Sequence, residues 1–233
     1  DGEPSKVAVA LVDVLTGQNP LAGVLLALRE RDRTGRGSRV DVDLLGSLLA
    51  ALTNQASSTL ATGRSPARLG NAHPSIAPYE LFRAADRELV VAVGNDRQFA
   101  AFAAAAGLPE LADDPRFATN EERVHNRHEL RALLEPALLR RHAADWVADF
   151  GAARVPSGLV NSVAEAFEFA ASLGLDAIAT TVDPATGHTS RQPATPIRLD
   201  TAPAVHRTPP PLLGAHHPVW SEALSSRTER TAP

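Results

Sequence analysis

A short apolar run over residues 5–12 predicts a buried strand or extended segment. Leu21, Val24, Leu25 and Leu28 then recur at helical spacing, predicting a helix from Leu15 to Arg33. Gly35 and Gly37 turn the chain, and Arg39 to Asp43 alternates valine with charge as a short strand would. Leu44 to Thr62 reads as a second long helix, closed by Gly63 and Pro66. Proline, glycine, asparagine and serine mark residues 64–80 as loop. Tyr79–Arg83 and Glu88–Val93 predict a hairpin around Ala84-Ala85-Asp86-Arg87. Further helices are expected from a cap at Asn95 or Asp96 to Ala106, from Glu121 to Leu139, from Ala143 to Phe150, and from a cap at Ser162 to Ser172. Short β-like pieces follow at 177–182 and 195–199. A proline-rich stretch over 201–218 ends the pattern, with Pro209-Pro210-Pro211 near polyproline II. The mixture predicts an α/β protein, with its best boundary near 64–75 and a return near 195.

Composition narrows the function. The chain has no cysteine, which removes disulfides, thiolate metal sites and cysteine nucleophiles, and which fits a cytoplasmic protein. A formal charge of −4 gives no diffuse attraction to nucleic acid or anionic membranes, so a polyanionic ligand would need local arginine, lysine and backbone N–H groups. Aromatic content of 4% argues against base-stacking platforms. No apolar stretch long enough for a membrane span is expected, and no basic region followed by an apolar one opens the chain. Methionine is absent even at position 1, so position 1 is not expected to be a translation start. His125 and His128, spaced i, i+3, lack further ligands at metal spacing, and no metal is expected. His216-His217 stands in the proline-rich tail without a carboxylate cluster.

Three motifs carry the candidate chemistry. Asp13, in Val9-Ala10-Leu11-Val12-Asp13-Val14-Leu15-Thr16-Gly17, precedes a long apolar helix. A carboxylate there has two readings. One is a helix N-cap. The other is a nucleophile that attacks a thioester carbonyl and carries the acyl group as an anhydride. Gly17 permits close approach of a ligand or another chain. Thr34-Gly35-Arg36-Gly37 lacks the third glycine and the Lys-Ser/Thr of nucleotide loops, so it reads as a tight helix-to-strand turn. Gly70-Asn71-Ala72-His73-Pro74 offers turning ability and hydrogen bonds, and a histidine before a proline, as at His73, is more often a structural loop residue than a catalyst.

The order Asp13, Gly17, Leu28-Arg29-Glu30-Arg31, Thr34-Gly35-Arg36-Gly37, Val40-Asp41-Val42, followed by Gly70-Asn71-Ala72-His73-Pro74, resembles the family III (CaiB/BaiF-type) coenzyme A transferases. The resemblance implies that Asp13 is the acyl-carrying nucleophile and that Leu44 touches coenzyme A. It also implies that the Gly70, Asn71 and His73 loop lies over the substrate. The implied activity is acyl-CoA:carboxylate exchange through an aspartyl anhydride and an aspartyl-CoA thioester, needing neither ATP nor metal.

The matching loop of formyl-CoA transferases is glycine-rich. Its replacement here points away from formyl or oxalyl groups and toward succinyl and similar dicarboxylic ones. Asn95-Asp96-Arg97 replaces the Glu-Pro of the related α-methylacyl-CoA racemases, which weighs against racemisation, although Asp96 offers a substitute acid. Asp114-Pro115-Arg116-Phe117, Thr119-Asn120, Arg123 and Asn126-Arg127 match the family as fold signatures. Leu213-Gly214-Ala215-His216 matches a segment near its C-terminus.

The implied architecture is a Rossmann-like large domain, built here from residues 1–63 and 195–233, with a small α/β domain and linkers over 64–194. Two chains interlock as rings in a homodimer. The chain is expected to be roughly the C-terminal half of a longer member. Two other classes stay open: a racemase-like proton transfer, and a noncatalytic piece that needs a separate N-terminal partner.

Overall fold

The computed structural model describes residues 5–184, 186–201, 209–211 and 213. Eight α-helices and five strands occur among them: α1 (Leu11–Thr34), α2 (Leu44–Ala51), α3 (Thr53–Thr62), β1 (Tyr79–Arg83), β2 (Glu88–Ala92), α4 (Asp96–Ala105), α5 (Asn120–His125), α6 (Arg127–Leu138), α7 (Ala143–Ala152), β3 (Ser157–Leu159), α8 (Val163–Ser172), β4 (Ile178–Val182) and β5 (Thr189–Pro193). The fold is mixed α/β.

The core lies between the first sheet and its helices. β1 and β2 form the expected antiparallel hairpin, Tyr79 facing Ala92 and Arg83 facing Glu88, and β3 adds to the other side of β2. Alternation along the strands turns Phe82, Leu89 and Val91 inward, against Phe99 and Phe102 of α4, Leu130, Leu134 and Leu138 of α6, and Trp146 and Phe150 of α7. Each large side chain buried this way contributes about 1.5–3 kcal/mol. Asn95 caps α4 by accepting from the Gln98 amide, and Ser162 with Glu165 forms a capping box on α8. β4 and β5 make a separate antiparallel pair.

The hairpin turn ties two helices to the sheet. Asp86 accepts from the Ala143 amide at 2.8 Å, which holds its carboxyl below the usual carboxylate range. Arg87 forms a two-pronged ion pair with Glu165 at 2.9 and 3.0 Å and donates to the Val160 carbonyl. Arg87, with the Ser162 amide and hydroxyl, pulls Glu165 down to about 2. A depressed carboxyl stabilises the fold above its unfolded value, near 4.3, and that stabilisation disappears as pH falls through the folded value. The start of α8 should therefore stay docked at pH 5 and loosen between about pH 4 and 2. Amide exchange of Ser162 and Glu165 checks this, with Glu165→Gln shifting the transition out of that window.

Several expectations are corrected. Residues 5–10 form no strand, and the helix begins at Leu11, four residues before the expected Leu15. Residues 39–43 are not strand, having no ladder partner among the described residues. They cross α1 at Gly23, where an added Cβ would stand 2.6 Å from Val40 Cγ1. The helix expected over 44–62 breaks at Thr53, whose φ of 44° is left-handed, and the one expected over 121–139 breaks at Asn126. That second break puts His125 and His128 on different helices. Residues 195–199 are not strand. The partner of β4 is instead the polar Thr189–Pro193. Among the described residues there is no parallel strand pair. His216, His217 and Gly214–His216 lie outside the described residues.

α1 also corrects the expectation about membrane-length segments. It is 24 residues long, and its most apolar 18-residue window has a mean hydropathy of 1.4, enough by length and composition to cross a membrane. It carries Gln18 and Asn19, however, and Asn19 donates to Ser47 of α2 at 2.9 Å, so one face packs on protein. None of its residues is buried, and Leu25, Leu26, Leu45 and Leu49 of α1 and α2 all stand exposed.

Candidate active site

α1 begins without a side-chain cap. Ala10 occupies the N-cap position, and Asp13 is the acidic residue of the first turn. This rules out the N-cap reading of Asp13. Its carboxylate is exposed and has no hydrogen-bond or ion-pair partner among the described residues. The helix dipole favours negative charge at this end by about 0.3–1 kcal/mol. The arrangement thus presents an accessible carboxylate to an incoming electrophile. One turn on, an added Cβ at Gly17 would meet nothing within 4 Å, so the surface beside Asp13 is open. Leu44 is the first residue of α2, half-exposed, on a helix capped by Asp43, which accepts from the Gly46 amide at 2.6 Å.

The second group stands on the loop before β1. Gly70 has a φ of 60°, and the Ala72 amide closes a turn onto the Leu69 carbonyl at 3.1 Å. Gly70, Asn71 and Ala72 line a cavity of about 490 Å3, with Arg68, Arg127, His128 and Arg131 among its other walls. Arg131 is matched by Glu80 and Glu135. His73 is built into the loop: its ring stacks on Tyr79 at 5.1 Å, and its Nδ1 accepts from the Ser75 amide at 3.2 Å. The Nε2 edge keeps no partner among the described residues. The structure thus brings Gly70, Asn71 and His73 together. Asp13 and Leu44 stand apart from them, on helices whose principal contacts are with one another.

Residues read from the sequence as fold signatures turn out to hold this loop. Asn120 donates to the Ser75 carbonyl at 2.8 Å and accepts from the Ala77 amide at 3.2 Å. Arg123, fully buried, donates to the carbonyls of Ala77 at 2.7 Å and Phe117 at 2.9 Å and pairs with Asp96 at 2.8 Å. Arg127 donates to the carbonyls of His73 and Pro74 at 3.1 and 3.3 Å. Asn120 and Arg123 share a face of α5 at i, i+3, whereas Arg127 opens α6 beyond the break at Asn126, so no single helical periodicity announced the three together. Asp96, the substitute acid considered for racemisation, has one carboxylate oxygen committed to Arg123. Among the described residues, no three histidine, aspartate or glutamate side chains stand together where a metal ion could sit.

The described residues thus form a mixed α/β fold with an exposed aspartate in the first turn of α1 and a separate glycine-bearing polar loop before β1. Comparison with known proteins makes this specific. The profile described as CoA-transferase family III matches residues 1–217, and the chain belongs to that family. It is 42% identical over 167 residues to an acetyl-CoA:oxalate CoA-transferase of Acetobacter aceti, covering 71% of this chain and 43% of that protein. It is 37% identical over 234 residues to a succinate–glutarate CoA-transferase of Agrobacterium fabrum, covering 100% of this chain and 58% of the relative. The crystal structure of a CAIB/BAIF family protein from Brucella suis superposes with a TM-score of 0.75 at 37% identity, over 96% of this chain and 58% of that one. The chain therefore spans about half the length of the relatives it matches.

Proposed function

We propose that this chain carries the nucleophile of an acyl-CoA:carboxylate CoA-transferase acting on dicarboxylic acyl groups. The observation that carries the reading is the Asp13 carboxylate, exposed and without a partner in the first turn of α1, in a chain of this family. Asp13 attacks the donor thioester carbonyl and expels the coenzyme A thiolate, leaving an aspartyl anhydride. The thiolate attacks the aspartyl carbonyl, releasing the donor acid and leaving an aspartyl-CoA thioester. The acceptor carboxylate attacks that carbonyl and expels the thiolate again. The thiolate then takes the new acyl group and frees Asp13. One thioester replaces another, so no ATP enters the balance.

In this reading Leu44 contacts coenzyme A, while Gly70 and Asn71 supply N–H donors to the oxyanions and share acceptor binding with His73. The named substrates of relatives, oxalate, succinate and glutarate, support a dicarboxylic acceptor. The exposed leucines of α1 and α2 support a covering surface. We assign it to the Rossmann-like remainder of the large domain within an interlocked homodimer.

The test is exchange between succinyl-CoA and isotopically labelled glutarate or oxalate, followed by mass spectrometry of the thioesters. Label moving into acyl-CoA is the expected result. Deuterium entering the acyl α-carbon without acyl migration would select racemase-like chemistry instead.

A further inference from the structure

Asn120, Arg123 and Arg127 reach the same short piece of backbone, residues 73–77. Between them they satisfy the carbonyls of His73, Pro74, Ser75 and Ala77 and the amide of Ala77. Just before this piece, the Ala72 amide closes a turn onto the Leu69 carbonyl. His73 is thus the point at which the segment gripped by these side chains meets the Gly70-bearing turn. Its own amide donates to the Tyr79 carbonyl at 2.9 Å, which fixes the clamped side to the start of β1.

Arg127 differs from its two companions. Arg123 is buried and pairs with a carboxylate, as a structural arginine does. Arg127 is half-buried and meets no carboxylate among the described residues. Its three hydrogen bonds all go to neutral carbonyls: Val124 of α5, His73 and Pro74. Arg127 also lines the cavity that Gly70, Asn71 and Ala72 border. A planar fork that grips two consecutive carbonyls fixes both the position and the tilt of the peptide between them, which a single point donor does not.

We propose that Arg127 is a positioning residue of the transferase reaction: by gripping the His73 and Pro74 carbonyls it sets where Gly70, Asn71 and His73 stand against the acyl group. This rests on the transferase reading above. A displacement of about 1 Å in a group that orients substrate costs on the order of 100-fold in rate. Loss of the grip should therefore be felt in turnover although Arg127 itself carries no chemistry.

The experiment compares the parent protein with Arg127→Ala and Arg127→Lys. Four quantities are read: kcat and acceptor KM for succinyl-CoA with glutarate, amide exchange over residues 64–80, and the thermal midpoint. The expected result is a kcat lowered about 10- to 100-fold in Arg127→Ala, partial recovery in Arg127→Lys, and further recovery of Arg127→Ala by added guanidinium. Exchange should quicken at residues 69–76 and remain at parent values in β2, α4 and α7. Unchanged kinetics and loop exchange in Arg127→Ala would overturn the role. So would faster exchange throughout the core with a collapsed thermal midpoint, since that would mark Arg127 as merely structural. If the parent transfers no acyl group while loop exchange alone quickens in the variant, the reaction is wrong and the clamp stands. If the parent transfers and the variant matches it in every readout, the clamp is wrong and the reaction stands.

Discussion

Asp13→Ala is expected to abolish acyl transfer, with a loss of at least about 1,000-fold, equivalent to about 4 kcal/mol of transition-state stabilisation. In the proposed mechanism no other group can take over the covalent role, because the anhydride and the thioester would both form on that one carboxyl carbon. Stability should hardly change. The side chain is exposed and has no partner among the described residues, so only its interaction with the helix start is lost, about 0.3–1 kcal/mol. The two readouts therefore diverge, which separates a nucleophile from a structural carboxylate. Asp13→Asn should be equally inactive when fresh and should regain activity slowly wherever deamidation restores the acid. The Asp13 peptide from turnover quenched with hydroxylamine should carry a hydroxamate that the Asp13→Ala peptide lacks. Exchange at the parent rate in Asp13→Ala would end the covalent mechanism.

The parts of the fold that could be read from sequence are those where a local signal decides the structure. The Tyr79–Val93 hairpin follows from alternation around a polar turn, and α4 and α8 start at Asn95 and Ser162 because their side chains satisfy amides that a helix start leaves open. The failures are of another kind. Val40-Asp41-Val42 has strand alternation, but a strand needs a neighbour, and these residues lie across α1 at Gly23 instead. Thr189-Ser190-Arg191-Gln192-Pro193 has no apolar face to announce it, yet pairs with β4 through its backbone. The breaks at Thr53 and Asn126 fall inside runs whose composition suits an unbroken helix, and no glycine marks either one.

The site divides in the same way. Asp13 stood out through motif order, whereas the geometry that frees it, with Ala10 rather than Asp13 at the N-cap, depends on where α1 begins. Arg123 and Arg127 gave no hydrophobic signal. A fully buried cation is rare enough that burial could not be guessed from residue type, and the break at Asn126 puts Arg127 on a different helix from Asn120 and Arg123, so helical spacing did not announce the three together.

That burial makes Arg123 the position where substitution should cost the most stability. Its guanidinium lies 4.4 Å from the Phe99 ring centre and gives its N–H groups to the Ala77 and Phe117 carbonyls and to Asp96. Arg123→Met keeps much of the volume but leaves two buried carbonyls without donors, at about 1–3 kcal/mol each. A loss of about 3–5 kcal/mol is expected, a large share of the 5–15 kcal/mol that holds a typical domain together. Asp96→Asn should cost far less. Asp96 is 59% exposed, and both the amide oxygen and water can accept from the guanidinium there. Denaturant unfolding followed by Trp146 fluorescence measures the difference, because that indole is 4% exposed within the same core and donates to the Leu138 carbonyl at 2.8 Å. The ordering is what matters physically. If Asp96→Asn proved as damaging as Arg123→Met, the ion pair would be the stabilising contact. If Arg123→Met alone is severe, the cation serves as a donor to backbone, joining α5 and the Phe117 turn to the segment that leads into β1.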